Sequence, residues 1–159
     1  MTDINHSQSV YRLIIKTLVS ASALSISDIS ARLGISVPTT TKYLDSLSQA
    51  GLVVRRGKTD TGHGRKPGLY AINEKAGYFV GVDIKNRSVQ IALMNLAGSI
   101  VLEKEYHVEF SNTPETMETV CEWIDSFISS CGVPPGSVGT VAVNLSGRVN
   151  PMTGYSYSV

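Results

Sequence analysis

Asp28-Ile-Ser-Ala-Arg-Leu33, closed by Gly34, has the length and apolar spacing of a short helix. A second helix pattern follows and runs through Thr39-Thr-Thr-Lys-Tyr-Leu-Asp-Ser-Leu47. Beyond it lie two strand-like runs, Leu52 to Arg56 and Leu69 to Ile72, joined by a basic, glycine-rich loop. Helix, turn, helix and basic hairpin, in this order, predict a winged helix-turn-helix. Such a fold docks its second helix in the major groove of duplex DNA.

The chain also carries local signals that begin and end these helices. Ser25, with Asp28 three residues later, resembles a capping box, in which each side chain bonds the backbone of the other residue. Gly34 suits a left-handed turn, Ser36 can cap the next helix, and Pro38 is tolerated in that helix's first turn. An earlier helix with one apolar face is predicted before them. It covers about Gln8 to Val19, and its inward residues are Val10, Leu13, Ile14, Thr17 and Leu18.

The second helix of the motif presents two different faces. Its inward side is predicted to close a small core with Thr40, Leu44 and Leu47. Short hydroxyls and a cation on the opposite side suit phosphates and base edges in a major groove. The residues that we expect to contact DNA here are Ser36, Thr39, Thr41 and Lys42. The alternative is a solvated polar face, but three consecutive threonines are weak helix formers and need another reason.

The hairpin after this helix holds a cluster of cations. Its loop contains Arg65 and Lys66, Arg55 lies in the strand before it, and its glycines let the backbone approach a phosphate closely. Arginine or lysine inserted in a minor groove would hold the duplex. We therefore predict DNA contacts by Arg55, Arg65 and Lys66. The alternative is a hairpin tip that is merely solvated.

Charge divides the chain at Asn73. Up to Ile72 there are nine Lys and Arg against four Asp and Glu, whereas from Asn73 onward there are five against nine. Such asymmetry is expected when a nucleic-acid-binding module precedes a domain with another task. We predict a winged helix-turn-helix domain over residues 1–72 and a second domain over residues 73–159.

Other features argue against several classes of protein. No apolar run reaches the ~18 residues that a membrane span needs, and the N-terminus lacks the layout of a secretory signal. Cys121 and Cys131 lie about ten residues apart on one predicted helix, roughly 15 Å, so they cannot bridge each other. No His or further Cys stands at a spacing usable for zinc. We expect a cytoplasmic protein with no metal and no cofactor.

After Asn73 the pattern changes to strands around one helix. The predicted elements are strands over Tyr78 to Ile84, Ser88 to Asn95 and Ile100 to Phe110, a helix over Pro114 to Ser130, and a strand over Val138 to Leu145. This order is the opening of a ribonuclease-H-like α/β lobe. The inward residues expected on the helix are Met117, Val120, Cys121, Ile124 and Ile128. Because the lobe would be unfinished at Val159, we expect a fragment of a longer protein.

Five short motifs together carry a family resemblance. They are Gly34-Ile-Ser-Val-Pro-Thr-Thr-Thr-Lys42, Gly51-Leu-Val53, Gly62-His-Gly-Arg-Lys-Pro67, Tyr78-Phe-Val-Gly-Val-Asp83 and Leu145-Ser-Gly-Arg-Val-Asn-Pro-Met-Thr-Gly154. In this order they resemble the N-terminal part of the ROK family (repressor, open reading frame, kinase). The matching parts are the recognition helix, the wing, the first strand of the actin-like ATPase fold and a sugar-site loop. Three positions depart from the family pattern: His63 for glycine, Ser146 for proline and Asn150 for aspartate.

The resemblance implies a transcriptional regulator of carbohydrate metabolism, most often a repressor. Its actin-like domain would sense a sugar or sugar derivative, and Gly147 and Arg148 would lie near that ligand. It also implies a homodimer or higher homo-oligomer on a duplex DNA operator, because two half-sites need two winged helices.

The same family contains sugar kinases, which poses the main alternative. Those kinases use Asp-x-Gly-Gly-Thr after the first strand to hold ATP phosphates, whereas this chain has Asp83-Ile-Lys-Asn-Arg-Ser88. The side chains at these positions obstruct the close approach that glycine permits, so we expect no enzymatic activity. A winged helix that binds protein rather than DNA is a further alternative, against which the basic wing argues.

Overall fold

Two short helices, each beginning next to a capping serine, lie at the centre of the first half of the chain. A computed structural model describes residues 2–58, 68–111, 113–145, 147–150, 152–153 and 156–158. The helices are α1 (Thr2–Ala21), α2 (Ile26–Leu33), α3 (Val37–Gln49) and α4 (Pro114–Ser130). The strands are β1 (Leu24–Ser25), β2 (Val53–Lys58), β3 (Gly68–Ile72), β4 (Tyr78–Ile84), β5 (Ser88–Asn95), β6 (Ile100–His107), β7 (Val138–Leu145), β8 (Arg148–Val149) and β9 (Ser156–Ser158).

A complete capping box begins α2. The Ser25 hydroxyl accepts a hydrogen bond from the Asp28 amide at 3.2 Å, and the Asp28 carboxylate accepts one from the Ser25 amide at 3.1 Å. Gly34 ends the helix with a left-handed φ of 65°, a conformation that costs a residue with a Cβ. Ser36 caps α3 by accepting from the Thr39 amide at 3.3 Å. Each of these predicted signals is confirmed.

The capping box is expected to make the stability of the fold depend on pH. Hydrogen bonds from the Ser25 side chain and backbone, together with the charge of Arg32, lower the pKa of Asp28 below its ordinary 3.8. A lowered folded-state pKa means that the ionised carboxylate stabilises the fold above that pH. This contribution is lost as the pH falls through the lowered value.

We therefore expect Asp28→Asn to lower the free energy of unfolding at pH 7 by about 0.5–1 kcal/mol. The difference from wild type should shrink as the pH falls below 3.8, where the unfolded chain binds the proton first, and disappear below the lowered folded-state pKa. Urea unfolding followed by circular dichroism across this range measures it. Asp45→Asn, the loss of an exposed carboxylate in the body of α3, is the control. An Asp28→Asn penalty that is unchanged at acid pH would contradict a charge-dependent cap.

Three helices and a three-stranded sheet enclose the core of the first unit, Met1–Ala76. The sheet has the order β1-β3-β2, with both pairs antiparallel. The core side chains are Val10, Ile14, Leu18, Leu24, Ile29, Thr40, Leu44, Leu47, Val53, Tyr70, Ala71 and Ile72. The prediction for the inward face of α3 is confirmed. The prediction for Leu13 is wrong, because α1 buries only the narrow stripe at every fourth residue and leaves Leu13 49 % exposed.

A mixed sheet covered on one face by α4 forms the second unit, Gly77–Val159. Its strand order is β6-β5-β4-β7, where β4 pairs antiparallel with β5 and parallel with β7. The buried residues of its core are Tyr78, Val80, Val82, Ile84, Val89, Ile91, Leu93, Phe110, Val120 and Phe127. The fold class, a winged helix-turn-helix followed by a mixed helix and sheet unit, is confirmed. The predicted domain boundary at residue 72 lies four residues before the division between the units.

Two details of the second unit differ from the sequence prediction. Strand β6, predicted to run to Phe110, ends at His107. It ends there because the Phe110 amide donates to the Asn86 carbonyl and Phe110 turns into the core. On α4, Cys121 is exposed and Phe127 is buried instead, since the buried stripe runs through Val120 and Phe127. Cys121 and Cys131 are both free thiols.

None of the described helices is long and apolar enough to cross a membrane. Within that same part of the chain, no group of three or more His, Cys, Asp or Glu side chains is arranged to hold a metal ion.

Candidate nucleic-acid interface

The start of α3 presents polar side chains to solvent. Ser36, Thr39 and Lys42 are exposed and Thr41 is partly buried, while Thr40, between Thr39 and Thr41, is fully buried. This follows from the helical period, which turns Leu44 and its neighbours inward and the other side outward. The four residues predicted to contact DNA therefore lie at the outer side of α3, where a duplex could reach them. Contact with DNA itself stays a prediction.

Hydrogen bonds already orient the hydroxyls of this surface. The Ser36 and Thr39 hydroxyl oxygens lie 2.8 Å apart, and Thr41 donates its proton to the Val37 carbonyl at 2.9 Å. With its proton engaged, Thr41 offers an acceptor oxygen and a methyl group. These suit the amino groups of adenine or cytosine and the methyl group of thymine. The cation Lys42, one residue further along, suits a phosphate or guanine.

An aromatic contact between two helices holds this surface in place. The rings of Tyr11 in α1 and Tyr43 in α3 meet edge to face, with centroids 4.8 Å apart and an interplanar angle of 87°. This is a favourable geometry for two aromatic rings. Sequence reasoning missed the pair, because neither tyrosine stands in a repeated pattern that would connect the two helices.

Arg55 is held by a tyrosine on the neighbouring strand. Arg55 lies opposite Tyr70 in the β2–β3 register, donates from Nε to the Tyr70 hydroxyl at 3.1 Å, and lies 5.4 Å from the centre of its ring. This contact engages Nε, and within the described part of the chain the terminal nitrogens keep their donors for an external acceptor. The Tyr70 ring is buried, so the arginine is attached to a fixed point. Such a pre-positioned guanidinium suits a phosphate.

Arg56, next in the strand, has a different partner. It points to the other side of β2 and forms an ion pair with Glu74. Arg65 and Lys66, the two loop cations predicted to contact DNA, lie outside the described residues. The wing therefore places one predicted DNA-contacting residue, Arg55, within the described part of the chain.

The second unit brings together polar residues from two strand ends. Asp83 and Asn144 are partners in the parallel β4–β7 register, and the Asn144 amide donates to the Asp83 carboxylate at 2.7 Å. The Lys85 ammonium lies 3.1 Å from the same carboxylate. These two contacts, first Asn144 and then Lys85, lower the pKa of Asp83. The position after β4 thus holds a lysine paired with an acid.

The predicted ligand residues lie beyond the end of β7. Gly147 is exposed in the bend that follows β7, and Arg148 begins β8, opposite Ser158 of β9. Sequence reasoning predicted a turn-rich loop here and missed this two-stranded pairing, because strands of two or three residues show no periodicity.

A cavity that the sequence did not reveal lies on the sheet face opposite α4. It has a volume of about 400 Å³, and its polar lining includes Asp83, Gln90, Glu103 and Asn144. Gly81 and Ala142 leave the space open. Carboxylate and amide groups of this kind can bind hydroxyl groups. No signal in the sequence indicated it, because part of its lining comes from β7, which is distant along the chain from β4, β5 and β6.

Comparison with known proteins bears on the first unit most directly. The family model of winged helix-turn-helix DNA-binding domains matches residues 12–54, which cover the second half of α1 and all of α2 and α3.

Several similar proteins are named as xylose repressors. The chain is 28 % identical to the xylose repressor of Bacillus spizizenii over 135 residues and 29 % identical to that of Bacillus subtilis over 135 residues. Each match covers 84 % of this chain and 34 % of the repressor. The xylose repressor of Caldicellulosiruptor bescii is 22 % identical over 143 residues, covering 89 % of this chain and 36 % of its own length. The chain thus spans about a third of the length of these relatives.

One solved structure shares the fold along nearly the whole chain. It is the crystal structure of a ROK family transcriptional regulator, a homologue of the E. coli MLC protein. The TM-score is 0.62 at 20 % sequence identity, and the match covers 97 % of this chain and 39 % of that one.

Proposed function

We propose that this chain, which resembles the N-terminal part of ROK-family transcriptional regulators, works as a sequence-specific DNA-binding repressor of carbohydrate metabolism. The observation that carries the proposal is the winged helix-turn-helix match over residues 12–54, which exposes Lys42 and ends directly before the exposed Arg55. Hydroxyls on α3 would read base edges, and the wing cations would hold the backbone.

Charge supports duplex DNA over a protein as the partner of the first unit. The excess of Lys and Arg up to Ile72 is opposite to the balance in the rest of the chain. A protein partner could use the same fold, but it would not need a basic hairpin beside an exposed Lys42. We propose a homodimer on the operator, because two half-sites need two winged helices. A regulator of this kind works in the cytoplasm.

The effector is proposed to be a sugar, and D-xylose is the first candidate because the similar repressors are named for it. Gly147 and Arg148 would contribute to its site, as the family motif implies. Control requires that the sugar bind the DNA-competent and DNA-incompetent states with different affinities, typically by ~1–3 kcal/mol.

We propose that the chain does not act as a sugar kinase. The sugar kinases of the family hold ATP phosphates with glycines after the first strand of the actin-like fold, which corresponds to β4 here. After β4 this chain instead has Lys85, whose side chain pairs with Asp83. The similar proteins are also named as repressors. Turnover of ATP by the full-length protein in the presence of a sugar would contradict this assignment.

A fluorescence-anisotropy titration tests the proposed function. The full-length protein is titrated on duplex DNA from upstream of its own gene cluster, at several salt concentrations, with and without D-xylose and other sugars. Salt-sensitive binding that prefers this DNA over random sequence, and that one sugar shifts, is the expected result. Equal binding to both DNAs, or none, would reject a sequence-specific repressor, and an ATPase assay would then be the next measurement.

The predicted wing contacts have their own test. Changing Arg65 and Lys66 together to Ala should weaken DNA binding about tenfold, because two phosphate contacts and their counterion release are lost. The slope of log K against log salt should become shallower by ~0.9 for each lost contact. The titration is repeated at four or more salt concentrations. The double change of Arg87 and Lys104 to Ala in the second unit removes the same charge and serves as the control. An unchanged salt slope would exclude Arg65 and Lys66 as phosphate contacts.

A further inference from the structure

The turn at the end of the first unit is bonded, through Asn73, to the turn that precedes β2. The Asn73 side-chain amide donates to the Gly51 carbonyl at 2.7 Å, and its backbone amide donates to the Leu52 carbonyl at 2.9 Å. Its own side-chain oxygen accepts from the Lys75 amide at 3.2 Å. Gly51 and Leu52 form the turn between α3 and β2. The backbone next to Asn73 is therefore held against the wing.

This attachment gives Glu74 a fixed position beside the wing. Glu74 follows Asn73 directly, and its carboxylate forms an ion pair with Arg56 of β2. The two side chains are 46 % and 55 % exposed, so solvent, and a phosphate, can reach both. Arg56 thus differs from its neighbour Arg55, whose guanidinium contacts the Tyr70 hydroxyl rather than a carboxylate.

We infer that Glu74 withholds Arg56 from the DNA backbone, so that opening the Arg56–Glu74 pair adds one phosphate contact to the wing. This rests on the proposed function, since it concerns the strength of the same DNA interface. Arg55 supplies its phosphate contact whether the pair is open or closed.

The electrostatics of the pair explain how a weak contact can have this effect. An exposed ion pair is worth little by itself, but both partners here are carried by backbone that is held in one unit. A phosphate that approaches Arg56 must also approach the Glu74 carboxylate, which repels it. The paired guanidinium then releases no counterion from DNA and leaves the salt slope unchanged.

The inference is tested on the full-length protein with a mixed-sequence DNA duplex, because binding to phosphates needs no operator. Glu74→Gln should raise the affinity about fivefold and steepen the salt slope by ~0.9. Arg56→Gln alone should leave the slope unchanged. In the double variant the gain in affinity and in salt slope should disappear. That result would show that Glu74→Gln acts through Arg56. Glu122→Gln on the exposed side of α4 makes the same change in net charge and should leave the affinity and the salt slope unchanged.

The possible results separate the two proposals. If the wild type binds the duplex with a salt-dependent affinity, and Glu74→Gln has the same affinity and salt slope, the inference is overturned. The proposed function is not affected by that result. A gain that persists in the double variant also overturns the inference, because Glu74 would then act by general repulsion of DNA. If the wild type does not bind duplex DNA at all, the proposed function fails and this inference fails with it.

Discussion

Changing Lys42 to Glu is expected to weaken operator binding about 100-fold while leaving the protein folded. Lys42 lies on the exposed side of α3 and takes no part in the core, so the substitution does not disturb packing. Loss of a contact to a phosphate or base costs ~1–3 kcal/mol, and a carboxylate at the same place adds repulsion from the phosphates. Every ~1.4 kcal/mol corresponds to a tenfold change in affinity.

Anisotropy titration of the full-length variant on the operator duplex measures this loss, with far-UV circular dichroism as the check on folding. Lys42→Gln should give a smaller loss, because it removes the charge without reversing it. Lys104→Glu, on β6 of the second unit, reverses the same charge elsewhere and is the matched control. Operator binding by Lys42→Glu at wild-type strength would show that this side of α3 does not face DNA.

Changing Leu18 to Ala is expected to lower the free energy of unfolding of the first unit by about 2–5 kcal/mol. Leu18 is 1 % exposed in the core between α1 and the rest of this unit. Its removal loses the burial of the side chain and leaves a cavity that the neighbours fill only partly. Because the total stability of a domain is ~5–15 kcal/mol, this is a large fraction of it.

Leu13 offers a closely matched control, since it is the same residue type on the same helix but is 49 % exposed. Leu13→Ala should cost less than about 1 kcal/mol. Urea unfolding followed by far-UV circular dichroism compares the two variants. Trp123, the single tryptophan, stacks on Tyr106 in the second unit and reports separately on that unit by fluorescence. Equal losses for the two leucine variants would contradict the buried stripe that the structure assigns to α1.

Local physical chemistry accounts for the part of the structure that was predictable. Ser25 with Asp28 makes a cap because both groups are three residues apart on one chain, and Gly34 turns left-handed because it lacks a Cβ. The bounds of α4 and β7 also match the prediction, since their apolar periods are long enough to distinguish helix from strand. The family motifs, which are short and contiguous, were visible for the same reason.

Contacts between distant residues account for the rest. Nothing local distinguishes Arg55 from Arg56, yet strand alternation and the β2–β3 register direct one to Tyr70 and the other to Glu74. The parallel pairing of β4 with β7 likewise brings Asn144 to Asp83 across 61 residues. Leu13 and Cys121 are exposed because the stripe that a helix buries depends on what packs against it. Sequence patterns specify elements through neighbours along the chain, whereas the partner of each side chain depends on how those elements pack in three dimensions.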